Sequence, residues 1–269
     1  MPIVDAVENR SGIITVTADR QVFGNGMYDG RFNTNLKHDA NGIVRPYSLS
    51  LFHPAPRDVL MIGLSSGSWA QVIANNPNVA SLTTVEINPG YVSLIAKEPE
   101  VASLLVNPKV RIVADDGRRW LRANPGRRFD AIVSNTTWYF RSNVSNLLSV
   151  EFLELIKQHL NPGGIFFYNT TNSARVRRTG CLVFADGARF LNHMVVSDMP
   201  IRWDFALAQD ARGLSHCRPA SVRYVAERGS CRTRPAAVRE DTPQRRRRSE
   251  AHRALFRHPL PDRRPATGD

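Results

Sequence analysis

Between residues 58 and 169 the sequence alternates short apolar runs with amphipathic ones, and this alternation restricts the fold more than any other feature of the chain. Asp58–Ile62 (DVLMI), Leu82–Glu86, Val110–Ala114, Asp130–Ser134 and Ile165–Asn169 have strand length and are rich in Val, Ile and Leu. Nearly continuous apolar strands of this kind are buried on both faces, as in parallel sheets. Between them, Trp69–Asn75 is followed by Pro77, Tyr91–Lys97 has Pro89 near its start, and Arg118–Arg122 is short. Val150–Leu160 runs into Asn161-Pro-Gly-Gly164, and all four stretches are predicted to be helices. Strands alternating with helices imply right-handed crossovers. The expected fold class is therefore α/β, an αβα sandwich around a mostly parallel sheet. Two later apolar runs, Cys181–Ala185 and His193–Ser197, are expected to complete the sheet.

The flanks read differently. Ile13–Thr17 alternates as a strand does, and Gly24–Gly30 is rich in turn residues. Residues 1–42 are thus expected to form a small N-terminal β-appendage, and residues 43–205 the main domain, with a short helix at Tyr47–Phe52 after Pro46. Composition matters chiefly for the remainder. The formal net charge is +12, but residues 206–269 hold 15 Arg, no Lys and 7 acidic residues, so most of the excess lies there. That stretch also has six prolines, the block Arg245–Arg248 and no sustained period. It reads either as a disordered basic arm able to meet phosphates or as non-native, out-of-frame coding of a GC-rich gene, and the second is preferred. Nucleic-acid binding is accordingly not expected. The three cysteines, Cys181, Cys217 and Cys231, lack metal-ligand spacing. The histidines are scattered, so no metal site is predicted. The first residues do not read as a secretory leader, and no apolar run is long enough for a membrane span. A reduced, cytoplasmic setting is the expectation.

In an open parallel sheet, ligands sit beyond the carboxyl ends of the strands. After the first strand comes Gly63-Leu-Ser65-Ser66-Gly67. Glycines there allow close approach of backbone to ligand, although a glycine pair after a strand also serves as a plain turn. No Lys-Ser/Thr pair follows, which excludes a Walker loop. The second strand ends at Glu86, 23 residues beyond Gly63. A carboxylate at that place suits the two hydroxyls of a ribose, and the alternative is a solvated strand-end carboxylate. The third strand ends Asp115-Asp116-Gly117, where an aspartate can accept from an adenine amino group or cap the following helix. The fourth ends Ser134-Asn135-Thr136-Thr137-Trp138-Tyr139, where Asn135 and Tyr139 are candidates to meet an acceptor. A polar loop with an aromatic lid is the alternative.

Taken together, His53-Pro-Ala-Pro-Arg-Asp-Val-Leu-Met-Ile-Gly63, Thr84-Val-Glu-Ile-Asn88, Ala114-Asp-Asp-Gly117, Phe129-Asp-Ala-Ile-Val133 and Leu160-Asn-Pro-Gly-Gly-Ile165 resemble the spermidine synthases and related polyamine aminopropyltransferases. The resemblance implies a Rossmann-like fold of the class I methyltransferase type. It implies decarboxylated S-adenosylmethionine as co-substrate rather than a tightly bound cofactor, a polyamine acceptor, and a possible homodimer. It assigns ribose to Glu86 and adenine to Asp116. Three positions depart from the pattern, one of them Trp138, which stands where the family's fourth-strand motif has its second aspartate. The family's loop after the first strand carries an aspartate that holds the aminopropyl arm, and Ser66 stands there. The family's fourth strand ends with an aspartate that assists deprotonation of the attacking amine, and Asn135 stands there. An amide takes no proton at neutral pH. Three readings therefore compete: an aminopropyltransferase-like enzyme, weak or inactive; a methyltransferase using intact S-adenosylmethionine; and a non-catalytic nucleoside-binding protein.

Overall fold

The first predicted strand is found over its predicted span: β5, Asp58–Ile62, lies in the middle of a sheet ordered β12-β10-β11-β9-β8-β5-β6-β7. The structure is a computed structural model and describes residues 1–135, 144–203 and the backbone pair 226–227. These residues all fall in the unit Met1–Arg232. The flanking strands are β6 (Ser81–Glu86), β7 (Val110–Ala114), β8 (Phe129–Ser134), β9 (Leu160–Asn169), β10 (Asp186–Phe190), β11 (His193–Ser197) and β12 (Ala226–Glu227). Strands β5 to β9 run parallel, whereas β11 is antiparallel to both β9 and β10.

The alternation of side chains along each strand explains the three layers. Val59 and Met61 of β5 face one core with Val133 and Phe167, while Leu60 and Ile62 face a second core with Ile132 and Phe166. Successive side chains point to opposite faces, so a strand covered on both sides must be apolar throughout. The first core is closed by α1 (Val44–Tyr47), α2 (Leu49–Phe52), α3 (Ser68–Ala74) and α4 (Gly90–Ile95). The second is closed by α5 (Gly117–Ala123), α6 (Val150–Gln158) and α7 (Ala174–Val183). Ser149 and Ser173 cap α6 and α7, accepting from the backbone N–H of Phe152 and Val176.

The N-terminal segment forms an antiparallel sheet of β1 (Ile3–Asn9), β2 (Gly12–Thr17), β3 (Gln21–Gly24) and β4 (Met27–Arg31). The β3–β4 connection is Asn25-Gly26, both at positive φ (52° and 78°), which suits the right-handed twist of a tight hairpin. Ile14, Val16 and Val22 of this sheet join the first core.

Two details differ from the sequence expectation. Cys181–Ala185 is not a strand, because α7 continues to Val183 and the strand begins at Asp186. Asn161–Gly164 does not separate a helix from a strand; β9 starts at Leu160 and passes through it with a register irregularity opposite Phe129–Ala131 and Gly163 at φ 79°.

Candidate active site

Sheet order reverses at β5, whose neighbours are β6 on one side and β8 on the other. Crevices form where order reverses. Here a cavity of about 870 Å³ opens at the carboxyl ends of the strands.

The loop after β5 shapes its floor. Gly63, Ser65 and Gly67 take positive φ (90°, 49° and 75°), and the turn is closed by Gly67 N–H donating to the Leu64 carbonyl at 2.9 Å. Gly63, Ser65 and Ser66 line the cavity, and Gly67 does not. A Cβ at Gly67 would lie 2.8 Å from Ile95 Cδ1, so this glycine serves packing against α4. Ser66 is buried, with its hydroxyl 3.1 Å from that of Ser68.

Glu86 closes the end of β6. It is 6% exposed, and its two oxygens accept from the backbone N–H of Leu64 at 2.7 Å and of Asn88 at 2.8 Å. Burial pushes its carboxyl upward from the ordinary range, against the opposing pull of those N–H donors. A carboxylate offers about four lone-pair sites, so with these N–H groups and that of Ser65 in place it still has room to accept from a ribose hydroxyl.

At the end of β7, Asp115 and Asp116 divide two tasks. Asp116 caps α5, accepting from Arg119 N–H at 2.8 Å. Asp115 accepts from the Arg119 guanidinium at 2.5 Å and from Asp116 N–H at 2.6 Å. Both line the cavity with Gly117, where a Cβ would come 2.7 Å from Ile62 Cγ2. The helix-cap alternative for this position is thus realised, and it leaves the second oxygen of Asp116 able to accept.

Asn135 follows β8 and also lines the cavity. Its oxygen accepts from Asn169 Nδ2 at 3.2 Å. Tyr139, with Thr136, Thr137 and Trp138, lies outside the described residues.

One cavity residue, Asp29, is missed by reading the strand ends. Asp29 reaches the wall from β4 and receives a hydrogen bond from the Tyr91 hydroxyl of α4. Its negative charge also contributes to the raised pKa of Glu86. The neighbouring Gly30, at φ 151°, is the one trace in the sequence: a Cβ there would lie 3.0 Å from Ser65 Oγ. Among the described residues no group of three or more His, Cys, Asp or Glu is placed to hold a metal ion, and no helix is long and apolar enough to cross a membrane.

A parallel sheet in this order, with a bent loop, a buried acid and an acidic pair at three successive strand ends, defines an αβα protein of the class I methyltransferase type with its crevice at the carboxyl ends of the strands. Residues 48–179 match the family model of the spermine/spermidine synthase domain, and over that span the chain belongs to this family. A polyamine aminopropyltransferase of Mycobacterium tuberculosis is 32% identical over 127 residues, which cover 44% of this chain and 24% of that protein. One of Escherichia fergusonii is 35% identical over 118 residues, covering 43% and 40%. One of Desulforudis audaxviator is 27% identical over 184 residues, covering 65% and 66%. The chain thus spans only about a quarter of the first of these relatives. Among solved structures, a spermidine synthase in complex with the transition state analogue AdoDATO superposes with a TM-score of 0.62 at 16% identity, covering 83% of this chain and 79% of that one. The spermidine synthase of Thermotoga maritima gives a TM-score of 0.59 at 16% identity, covering 83% and 78%. These two likenesses confirm the α/β fold and its N-terminal antiparallel sheet.

Proposed function

We propose that the chain is a spermidine synthase-like transferase that takes an adenosyl sulfonium donor. In this reading Glu86 holds the ribose, Asp116 with Asp115 meets the adenine amino group, and the donor's tail lies between Ser66 and Asn135. Aminopropyl transfer from decarboxylated S-adenosylmethionine to a polyamine would proceed by in-line attack of an amine nitrogen on the carbon next to sulfur. The C–S bond breaks with its electron pair moving to sulfur, methylthioadenosine leaves, and the attacking nitrogen, which gave up its proton before attack, ends as a secondary ammonium. A sulfonium is a good leaving group, so alignment carries most of the catalysis and one proton must be removed. An amine of this kind has a pKa near that of lysine, about 10.4, so the attacking nitrogen must first be deprotonated. Asn135 cannot accept that proton, and loss of a general base costs on the order of 10²–10⁴ in rate. The native chain is therefore expected to be slow.

The observation that supports the reading is the convergence of Glu86, Asp115 and Asp116 with the Gly63 loop on one cavity. The test is spermidine formation from putrescine by the native chain and by Asn135→Asp, alongside binding of methylthioadenosine. A large gain in the variant is expected. No methylthioadenosine binding at high micromolar concentration would end every nucleoside reading. A second reading, methyl transfer from intact S-adenosylmethionine, is favoured by one feature: Ser66 and Asn135 put neutral groups at both positions where a carboxylate of the donor would otherwise be repelled. If methylthioadenosine binds and neither transfer occurs, the chain is a nucleoside-binding protein without turnover.

A further inference from the structure

We propose that a chain of hydrogen bonds running inward from Arg45 fixes Asn135 with its amide N–H group toward the cavity, so that this strand end receives a carboxylate rather than an ammonium. The inference rests on the adenosyl-donor reading and specifies what lies at the tail end of that site.

The direction of each bond follows from groups that can only donate. Arg45 Nε donates to Asn192 Oδ1 at 2.8 Å. A guanidinium has no acceptor, so that end of Asn192 must be its oxygen. Asn192 Nδ2 then donates to Asn169 Oδ1 at 3.1 Å. The same Asn169 oxygen accepts from the backbone N–H of Thr171 at 2.8 Å, and a peptide N–H also only donates. Asn169 is therefore oriented by two independent donors, and its Nδ2 is left to donate to Asn135 Oδ1 at 3.2 Å. Asn135 spends its oxygen inward and offers Nδ2 to the cavity. Its orientation is set by fixed donors at the far end of the chain rather than by choice of rotamer.

The charges agree with the direction. Arg45 is half-buried and held by the Gly42 carbonyl at 3.2 Å, with Asp39 as its opposing charge. Hydrogen bonds aligned head to tail polarise one another, so the last N–H is a stronger donor than a lone amide. The acidic wall residues Asp29, Glu86, Asp115 and Asp116 lie toward β4, β6 and β7, while Asn135, Asn146 and Leu147 on the other side carry no charge. An ammonium at Asn135 would face an N–H donor. A carboxylate would accept from it.

The carboxylate has two chemical sources, the donor's own amino-acid tail or an acceptor bearing one, and two pairs of probes separate them. S-adenosylmethionine and its decarboxylated form differ by one carboxylate, as do ornithine and putrescine. Calorimetry on the full chain would measure the first pair directly and the second with methylthioadenosine saturating. In one of the two pairs the carboxylate-bearing member is expected to bind about tenfold tighter or more, as a charge-assisted hydrogen bond gives. Which pair responds identifies the source. Asn135→Asp should reverse that preference, and Asn192→Leu or Arg45→Met should erase it. Binding of methylthioadenosine, which has no such tail, should change less than about twofold in all three variants. If Arg45→Met fails to fold, Asn135→Asp carries the test alone. Equal or tighter binding of the decarboxylated member in both pairs overturns the inference, as does a preference that survives Asn135→Asp. Failure of methylthioadenosine to bind the native chain removes the adenosyl reading and this inference with it, an outcome distinct from normal nucleoside binding without discrimination.

Discussion

The two sides of the cavity are built from different chemistry. On the side of β5, β6 and β7, the wall is carboxylates held by main-chain N–H groups: Glu86 by Leu64 and Asn88, and Asp116 by Arg119. On the side of β8, β9 and β11 it is amides held by one another, Asn135 by Asn169 and Asn169 by Asn192. The first arrangement depends on local backbone and places negative charge where a sugar and a purine would sit. The second depends on side chains distant in sequence and, among the described residues, places no charge there. On the proposed reading, nucleoside grip and chemical outcome would fall to these separate sides, and each could be altered without the other.

The largest effect that would break this contrast is at Asn135→Asp. If the neutral side alone limits turnover, aminopropyl transfer should rise by on the order of 10²-fold or more in a spermidine assay, with methylthioadenosine affinity unchanged. Next is Glu86→Gln, which replaces an acceptor-only group with one that must point an NH2 at a backbone donor. Methylthioadenosine binding should weaken by about 10- to 100-fold by calorimetry, as expected for losing hydrogen bonds to a charged group. An unchanged affinity would show that the acidic side does not grip the sugar. Asp116→Ala should cost about 1 kcal/mol in denaturant unfolding through loss of the α5 cap, and should also weaken nucleoside binding. A stability loss with normal binding would leave Asp116 as a cap alone.

The smallest effect concerns pH. His193 is fully buried behind the amides, and its Nε2 has no hydrogen-bond partner. Desolvation, with the Arg45 charge adding to it, holds its pKa well below the ordinary imidazole range. The unfolded chain therefore binds this proton more readily than the folded one. Stability is full above the unfolded imidazole pKa and is lost as pH falls through it toward the lower folded value. The thermal midpoint should drop between pH 7.5 and about pH 5, and His193→Phe should flatten that slope whatever it does to the midpoint itself. The acidic side has the opposite sign. Burial raises the Glu86 pKa, so its contribution is greatest below the ordinary carboxylate range and declines as pH rises through it.

The same contrast explains what the sequence discloses. Strands β5, β6 and β8 are legible because each is covered on both faces and buried along most of its length, whereas β7, at the sheet edge, is half-buried or exposed and shows itself by its place in the strand–helix alternation. Glu86, Asp115 and Asp116 are legible because a strand end in such a sheet points at the crevice. Short apolar runs are less decisive: Cys181–Ala185 fits a strand by composition, but Ser173 caps a helix that buries Val176, Gly180 and Val183 on one face. Strand β1 is hidden because its residues are half-buried or exposed, so its pattern is weak. Gly67 reads as a ligand glycine, yet its missing side chain makes room for Ile95. Asp29 and the orientation of Asn135 are illegible for one reason. Each is decided by a partner far along the chain, Tyr91 for the first and Asn169 for the second, and no local spacing records such a pairing.

The N-terminal segment meets the glycine-bearing bend and the start of α3 through three hydrogen bonds. The Ser65 hydroxyl donates to the Asp29 carbonyl at 2.6 Å, the Ser68 hydroxyl donates to the Arg31 carbonyl at 2.9 Å, and Asn33 N–H donates to that same hydroxyl at 3.1 Å. A bend with three residues at positive φ is stitched to a hairpin that arrives from elsewhere in the chain, so the appendage works as a mould for the loop beneath it. A chain shortened to begin at residue 43 would keep every strand of the large sheet and still lose the template that gives the ligand floor its contour.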